Sequence, residues 1–201
     1  MNYLTGVNLN NRYFALRHGE SMPNVLGIIL SSPEEGVHDG GLSKSGMVQV
    51  RRSAESALEK GILDSDTVIY SSDFQRAMET AEIARRVFDA HEVIPTVRLR
   101  ERYFGEWDKT TNKNYDKVWV DDKVDSNHHN YGVESADEVQ DRTTQLIMEL
   151  EKKYTGKKIL LVSHGDALQI MQTGFLGISP SKHRTVPHLN VAEIRELVVK
   201  K

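Results

Sequence analysis

The stretch YFALRHGE, residues 13–20, joins a short apolar run to a polar turn that contains an arginine and a histidine. An apolar run of this kind is typical of a buried strand, so Arg17 and His18 would lie where that strand ends. Ligands of open α/β sheets bind beside the carboxyl ends of the strands, where loops can close over a substrate. An arginine and a histidine at such an end suit an anion, provided that other strands deliver matching groups.

Further apolar runs typical of strands recur along the chain. They lie at residues 67–70, 92–97, 159–162 and 191–199. The run at 159–162 is apolar throughout, as expected of a central parallel strand that is covered on both faces. Helical spacing of apolar residues separates the runs, and the residues that suit the helix caps are Ser43, Ser72 or Asp73, and Ser135. This alternation predicts an α/β fold of three layers, α/β/α, with a mostly parallel, doubly wound sheet.

Length and composition indicate an ordinary soluble domain. The 201 residues suffice to bury a sizeable core, and we expect one domain over residues 1–201. The net charge of −3 provides no basic field for nucleic acid or membrane, and the lack of cysteine excludes thiol chemistry. Residues 1–11 lack the pattern of a signal peptide, and no later run is long enough to span a membrane. We therefore expect a cytoplasmic protein without nucleic-acid or membrane partners.

Reactive side chains also follow the other predicted strands. Arg76 lies in the first turn of the helix after the second strand, where a cation opposes the helix dipole and so indicates a bound anion. Glu101 follows the third strand, and His164 follows the fourth. Crossovers of one hand bring these strand ends to one edge of the sheet. Two arginines, two histidines and a carboxylic acid suit a phosphoryl group there, because arginine forks match phosphate oxygens and a neutral imidazole is a nucleophile.

The segment from about 108 to 131 is polar and interrupts the alternation of strands and helices. Its few apolar anchors are Val118 and Trp119, and we expect one short helix in it. This segment is predicted to be an insertion that sets substrate specificity. His128 and His129 are adjacent, a spacing that points their side chains apart and suits chelation poorly. We expect surface histidines there and no metal site.

Six short motifs occur in a fixed order along the chain. They are RHGES at 17–21 with Asn24, GLS at 41–43 with Gly46, SD at 72–73 with RA at 76–77 and TA at 80–81, LRER at 99–102 with Gly105, GVES at 132–135, and SHG at 163–165. Together they resemble the histidine phosphatase superfamily, the phosphoglycerate mutase-like group with an Arg-His-Gly motif. The resemblance covers nearly the whole chain, and it implies a phosphoglycerate mutase-like fold.

The resemblance also implies a role for each matching residue. His18 is the nucleophile that becomes phosphohistidine, Glu101 is the proton donor, and the phosphoryl oxygens are bound by Arg17, Arg76 and His164. Further substrate-binding residues are Asn24, Ser21, Arg102 and Gly165. The implied ligand is a phosphorylated small molecule, and neither a metal nor another cofactor is expected.

The superfamily contains both hydrolases and mutases. Arg102 with Gly105 resembles the mutases, where such an arginine helps to hold the substrate, whereas Trp107 resembles the phosphatases. Residues 30–31 are Leu-Ser where mutases have Thr-Gly, and little chain follows the last strand to shield a phosphohistidine from water. We therefore predict a metal-independent phosphomonoester hydrolase. The alternatives are a cofactor-dependent phosphoglycerate mutase and a non-catalytic phospholigand-binding protein, the latter disfavoured because all five catalytic positions are filled.

Overall fold

The computed structural model describes residues 4–200, which fold around a five-stranded sheet. The strands are β1 (Arg12–Arg17), β2 (Val68–Ser71), β3 (Val93–Pro95), β4 (Lys158–Ser163) and β5 (Ile194–Leu197). Their order is β3-β2-β4-β1-β5. All neighbours pair in parallel except β5, which runs antiparallel to β1. The prediction of a mostly parallel sheet is confirmed.

Seven α-helices connect and flank the strands within residues 4–200. They are α1 (Met22–Leu26), α2 (Pro33–Gly36), α3 (Lys44–Glu59), α4 (Gln75–Phe88), α5 (Tyr115–Val124), α6 (Ala136–Lys153) and α7 (Gly165–Leu176). Short 3₁₀ turns lie at Val97–Leu99, Gly105–Trp107, Asn112–Asn114, Asn130–Gly132 and Pro180–Thr185.

Helices cover both faces of the sheet, as the apolar strands require. Phe14 and Leu16 of β1 pack with α3 and α4, whereas Tyr13 and Ala15 pack with α6 and α7. Successive strand residues point to opposite faces, so a strand that is apolar throughout is buried twice. The three-layer α/β/α prediction is therefore confirmed.

Several predicted boundaries differ from the structure. The final strand, expected at 191–199, spans only Ile194–Leu197. The strand expected at 92–97 ends at Pro95, and a 3₁₀ turn follows in which the Thr96 hydroxyl accepts a hydrogen bond from the Arg98 amide. Helix α4 begins after Phe74 rather than after Ser72 or Asp73. The Asp73 carboxylate pairs with Arg100 instead, at 2.6 and 2.7 Å. The hydrogen bond of Thr96 is local, whereas the partner of Asp73 lies 27 residues away and is not revealed by local sequence.

The caps predicted at Ser43 and Ser135 are confirmed. The Ser43 hydroxyl accepts from the Gly46 amide at 2.9 Å, and Ser135 forms a capping box with Glu138. Gly46 has a second role, because a Cβ there would lie 2.0 Å from the Glu20 carbonyl oxygen. The absence of a side chain lets α3 approach the turn that carries His18.

The segment at 108–131 contains a single α-helix, α5, as expected. Val118 of this helix is fully buried against Ile29 and Phe104. The Asp108 carboxylate accepts hydrogen bonds from the Ser31 amide and hydroxyl at 2.6 and 2.8 Å. These hydrogen bonds join the segment to the loop after β1, above the carboxyl edge of the sheet.

Candidate active site

A cavity of about 210 Å³ opens at the carboxyl ends of the parallel strands. Seven of the nine residues predicted for the site line it, namely Arg17, His18, Ser21, Asn24, Arg76, Glu101 and Gly165. They come from four separate stretches of chain that the parallel sheet brings to one edge. His164 and Arg102 are the two predicted residues that do not line this cavity.

His18 presents one defined tautomer to the cavity. Its Nδ1 lies 2.7 Å from the Gly19 carbonyl oxygen, which can only accept, so Nδ1 carries the proton. Its Nε2 lies 3.3 Å from Nε of Arg76, which can only donate. The ring is therefore neutral, with its lone pair on Nε2, and Nε2 is the atom able to attack an electrophile.

The surroundings of His18 keep the ring neutral. The residue is 3% exposed, and this burial lowers its pKa well below the ordinary value. The guanidinium groups of Arg76 and Arg17 lower that pKa further. A neutral imidazole at physiological pH retains the lone pair that nucleophilic attack needs.

The two arginines in the cavity have donors without partners. Arg17 donates through Nη1 to the Leu189 carbonyl at 2.9 Å, and Arg76 donates through Nη2 to the Leu30 carbonyl at 2.9 Å. Nε of Arg17 and Nη1 of Arg76 are buried, and neither has a hydrogen-bond partner within residues 4–200. Burial also lowers the pKa of both guanidinium groups, so their charges are incompletely compensated. A bound oxyanion would satisfy these donors and the charge together.

Glu101 lies in the same cavity and is 8% exposed. Its Oε1 accepts hydrogen bonds from the amides of Arg102 and Ala167 at 3.1 and 3.0 Å. Burial and the nearby Asp166 carboxylate raise the pKa of Glu101, and these effects exceed the opposing influence of the two amides and of Arg76. Since Oε1 accepts two N–H groups, the proton of the acid form belongs on Oε2. Glu101 can therefore donate a proton at a pH where an exposed glutamate could not.

His164 lies behind the nucleophile rather than in the cavity wall. The His164 and His18 rings meet edge to face with centroids 5.1 Å apart. Nε2 of His164 is 2.9 Å from the Ser72 hydroxyl, while its buried Nδ1 has no partner in the described chain. Burial and Arg76 lower the pKa of His164, so this ring is also neutral. The structure thus brings His164 next to His18 but leaves one of its nitrogens unused.

Ser21, Asn24 and Gly165 complete the predicted part of the wall. The Ser21 hydroxyl donates to Oδ1 of Asn24 at 2.9 Å, which fixes the amide of the asparagine. Gly165 is the first residue of α7, where unpaired amides and the helix dipole favour an anion. A Cβ on Gly165 would lie 3.3 Å from Cζ of Arg17, so a side chain there would press on that guanidinium.

Arg102 does not occupy the position that the resemblance to mutases implies. Its side chain is fully buried and donates to both carboxylate oxygens of Asp122, at 2.6 and 2.7 Å. It also donates to the Glu134 carbonyl at 2.6 Å and lies 3.4 Å from Asp166. Every guanidinium nitrogen of Arg102 already has a protein partner, so a contact with substrate would have to replace one of these bonds, and the predicted contact stays a prediction.

His128 also differs from its predicted position. It is 8% exposed, and its Nε2 lies 3.0 Å from Oδ1 of Asp122. Asp122 draws the ring inward and so links it to Arg102. The adjacent His129 has a side chain that is 56% exposed, as predicted for a surface histidine.

Eight lining residues were not predicted for the site: Pro23, Ile28, Leu30, Asn112, Tyr115, Trp119, Asp166 and His188. Tyr115 and Trp119 stack with ring centroids 5.3 Å apart and an interplanar angle of 7°. Their spacing of four residues in a polar segment was the available signal, because it places two aromatic rings on one helix face. His188 lies in a coil with no periodic pattern, and nothing in the sequence identified it.

Across residues 4–200, no group of three or more His, Asp or Glu side chains could hold a metal ion. None of the helices in that range is long and apolar enough to cross a membrane.

Comparison with known proteins yields relatives along nearly the whole chain. A metal-independent phosphoserine phosphatase of Arabidopsis thaliana is 25% identical over 188 residues, which cover 90% of this chain and 75% of that protein. A probable phosphoglycerate mutase, GpmB, of Escherichia coli O139:H28 is 31% identical over 172 residues, which cover 82% of this chain and 74% of that protein. The solved structure of a mutant phosphoserine phosphatase of Entamoeba histolytica in complex with phosphoserine has a TM-score of 0.74 at 26% identity. That similarity covers 92% of this chain and 89% of that one.

A family profile also matches the chain. The profile of the histidine phosphatase superfamily (branch 1) matches residues 13–201, a range that includes every residue predicted for the site. The solved relatives share the phosphoglycerate mutase-like fold predicted from the motifs. The chain therefore belongs to the histidine phosphatase superfamily, branch 1.

Proposed function

We propose that this protein hydrolyses small phosphomonoesters through a phosphohistidine formed on His18. The observation that carries this proposal is the pairing of a neutral, buried His18 with two arginines that have unused donors. Glu101, with its raised pKa, lies in the same cavity and supplies the acid. Nucleophile, anion site and acid are the three parts that a double-displacement phosphatase requires.

In the first half-reaction, Nε2 of His18 attacks the phosphorus, and the bond from phosphorus to the ester oxygen breaks. The departing oxygen takes the proton of Glu101 and leaves as an alcohol. In the second half-reaction, the Glu101 carboxylate removes a proton from water while the water oxygen attacks phosphorus. The bond to Nε2 breaks, inorganic phosphate leaves, and both residues return to their starting protonation states.

Arg17 and Arg76 stabilise the charge that spreads over the phosphoryl oxygens. Nε of Arg17 and Nη1 of Arg76 are the donors that can do this without breaking an existing hydrogen bond. We assign the amide of Gly165 and the unused nitrogen of His164 to the same oxygens, with Asn24 and Ser21 beside them. The catalytic power then comes from fixed donors that need little rearrangement during the reaction.

The geometry favours a hydrolase over a mutase. The arginine that would help to hold a mutase substrate is Arg102, and its side chain is bound to Asp122 and Glu134. The net charge of −3 and the cavity of about 210 Å³ support a small phosphorylated metabolite rather than nucleic acid as the substrate. We place the enzyme in the cytoplasm, where such metabolites are found.

The test combines turnover with trapping of the intermediate. Purified protein should release phosphate from p-nitrophenyl phosphate equally well with and without excess EDTA. After mixing with a ³²P-labelled substrate and an alkaline quench, label should appear transiently on His18, and the His18→Ala variant should show neither label nor turnover. Efficient conversion of 3-phosphoglycerate to 2-phosphoglycerate in the presence of a priming bisphosphate would instead establish a mutase. Undiminished turnover by His18→Ala would refute the assigned nucleophile.

A further inference from the structure

The cavity has few positive charges besides those assigned to the phosphoryl group. Of the described residues that line it, the only permanent cations are Arg17 and Arg76. Burial and the nearby Arg17 lower the pKa of His188 to about 4, so this histidine is neutral at physiological pH. Nε2 of His188 accordingly accepts a hydrogen bond from Nη1 of Arg17 at 2.7 Å. The lining also contains two acids, Glu101 and Asp166.

Two other arginines of this part of the fold are already engaged. Arg102 is bound to Asp122, as described above. Arg184 places its guanidinium carbon 3.6 Å from the ring centroid of Trp119 and donates to the side-chain carbonyl of Gln169. Neither Arg102 nor Arg184 lines the cavity. No lining cation therefore remains for a second anionic group on the substrate.

The remaining wall consists of uncharged side chains. We name it the leaving-group wall, and its members are Pro23, Ile28, Leu30, Asn112, Tyr115 and Trp119. The first three come from the stretch between β1 and α3, and the other three come from the segment at 108–131. The wall combines apolar surface with the polar groups of one asparagine and one tyrosine.

Tyr115 is the polar group of this wall that is held most firmly. Its ring stacks on Trp119, and its other ring contact is Phe104 at 4.7 Å between centroids. The Trp119 indole nitrogen donates to Oδ1 of Asp166 at 3.0 Å, which anchors the stack to α7. Burial and the nearby Glu101 raise the pKa of Tyr115, so its hydroxyl stays protonated. That hydroxyl has no hydrogen-bond partner in the described part of the chain and is available to a substrate.

We propose that the leaving-group wall selects phosphate esters of small alcohols without an anionic group and rejects those with a carboxylate or a second phosphate. A carboxylate against this wall would lose its hydration without meeting a cation, and it would lie close to Glu101 and Asp166. A hydroxyl or an ammonium group finds acceptors and donors there instead. This inference rests on the proposed function, and it adds which class of alcohol the enzyme releases from the phosphate ester.

The test uses two matched pairs of substrates that differ in a carboxylate. The first pair is glycerol 3-phosphate and 3-phosphoglycerate, and the second is phosphoethanolamine and O-phosphoserine. In each pair the member without the carboxylate should have a kcat/KM at least about tenfold higher, since like charges brought together in an interface cost several kcal/mol. Dissociation constants measured by calorimetry on His18→Ala protein should show the same preference without any turnover.

A charge placed on the wall should reverse the preference. Asn112 is exposed and its side chain makes no hydrogen bond within residues 4–200, so Asn112→Lys should fold normally. This variant should shift the ratio of kcat/KM within each pair about tenfold toward the carboxylate ester. The uncharged control, Asn112→Gln, should keep the wild-type ratio.

The outcomes separate this inference from the proposed function. Equal or tighter binding of the carboxylate member in both pairs would overturn the inference, even if the protein hydrolyses all four esters. A preserved binding preference on His18→Ala protein, with no phosphate release by the wild type from any ester, would uphold the inference and refute the proposed function. An unchanged ratio in Asn112→Lys would show that the wall does not contact the leaving group, which also overturns the inference.

Discussion

Arg76 and Arg102 are both buried, at 4% and 0% exposure, yet their surroundings differ in kind. Every guanidinium nitrogen of Arg102 has a protein partner, and two of them form a fork on Asp122. Nη1 of Arg76 has no partner within residues 4–200, and its Nε points to the nitrogen of the proposed nucleophile. We therefore expect Arg102 to stabilise the fold and Arg76 to bind the ligand.

Replacement of the two arginines should therefore have different effects on the stability of the protein. Removing one partner of a buried ion pair leaves an uncompensated charge and destabilises the fold. Removing a buried donor that has no partner takes away a group that is itself costly to bury. Substitutions in the cavity should therefore lower activity with little effect on stability, and substitutions around Arg102 should lower stability. Four predictions test this difference.

The largest effect is expected at Glu101, whose chain neighbour is Arg102. Glu101→Gln keeps the shape but cannot deliver a proton, so kcat for an alkyl phosphate should fall by about 10²–10⁴-fold. The p-nitrophenyl ester should lose less, because its leaving group is already stable as an anion. Stopped-flow and steady-state assays on both esters provide the measurement. Equal losses for the two esters would contradict the assignment of Glu101 as the acid.

The pH profile gives a second readout of the same variant. Burial raises the pKa of Glu101, so its acid form, and with it kcat/KM, is present at low pH and is lost as pH rises through that raised pKa. The lowered pKa of His18 keeps the nucleophile neutral on the acidic side. Glu101→Gln should abolish the alkaline decline seen with the alkyl ester.

The next effect concerns stability. Arg102→Met should lower the free energy of unfolding by about 3–5 kcal/mol, because it leaves Asp122 buried without its main partner. The double variant with Asp122→Leu should recover most of that loss, since an apolar pair can replace a buried ion pair at little cost. Urea denaturation of the single and double variants measures this. A stable single variant with weakened substrate binding would assign Arg102 to the ligand after all.

Arg76→Ala should show the opposite pattern. The loss of a donor aimed at developing charge should lower kcat by about 10²–10³-fold. The free energy of unfolding should change by no more than about 1–2 kcal/mol, less than for Arg102→Met. Kinetics and denaturation must be measured on the same preparation. A variant that unfolds readily but retains kcat when folded would make Arg76 structural.

The smallest effect is expected at His188, which occupies one nitrogen of Arg17. His188→Ala removes an acceptor worth about 1 kcal/mol, so kcat/KM should fall roughly fivefold as Arg17 loses its orientation. His188→Gln retains a side-chain acceptor and should recover much of the loss. Identical losses in the two variants would mean that this hydrogen bond does not position Arg17.

Much of the site was predictable because it follows from chain direction. Parallel strands end at one edge, so residues at or shortly after the strand ends, such as Arg17, His18, Arg76 and Glu101, come together there. The partners of Arg102 were not predictable, because Asp122 is 20 residues away in a segment with no clear periodicity. The same holds for the burial of His128, whose inward position depends on that carboxylate. Side chains whose roles depend on distant partners are the ones that local pattern misplaces.

Helix α5 combines two tasks along one face. Tyr115 and Trp119 line the cavity, and Asp122, about one turn further, is clamped by the arginine that follows the acid in sequence. Asp122 and buried Val118 attach the helix, Trp119 contributes through its bond to Asp166, and Tyr115 has a hydroxyl free for the proposed recognition. On the proposed reading, exchange of the residues at 112 and 115 should change the preferred alcohol while Asp122 and Trp119 keep the segment attached beside the phosphoryl site.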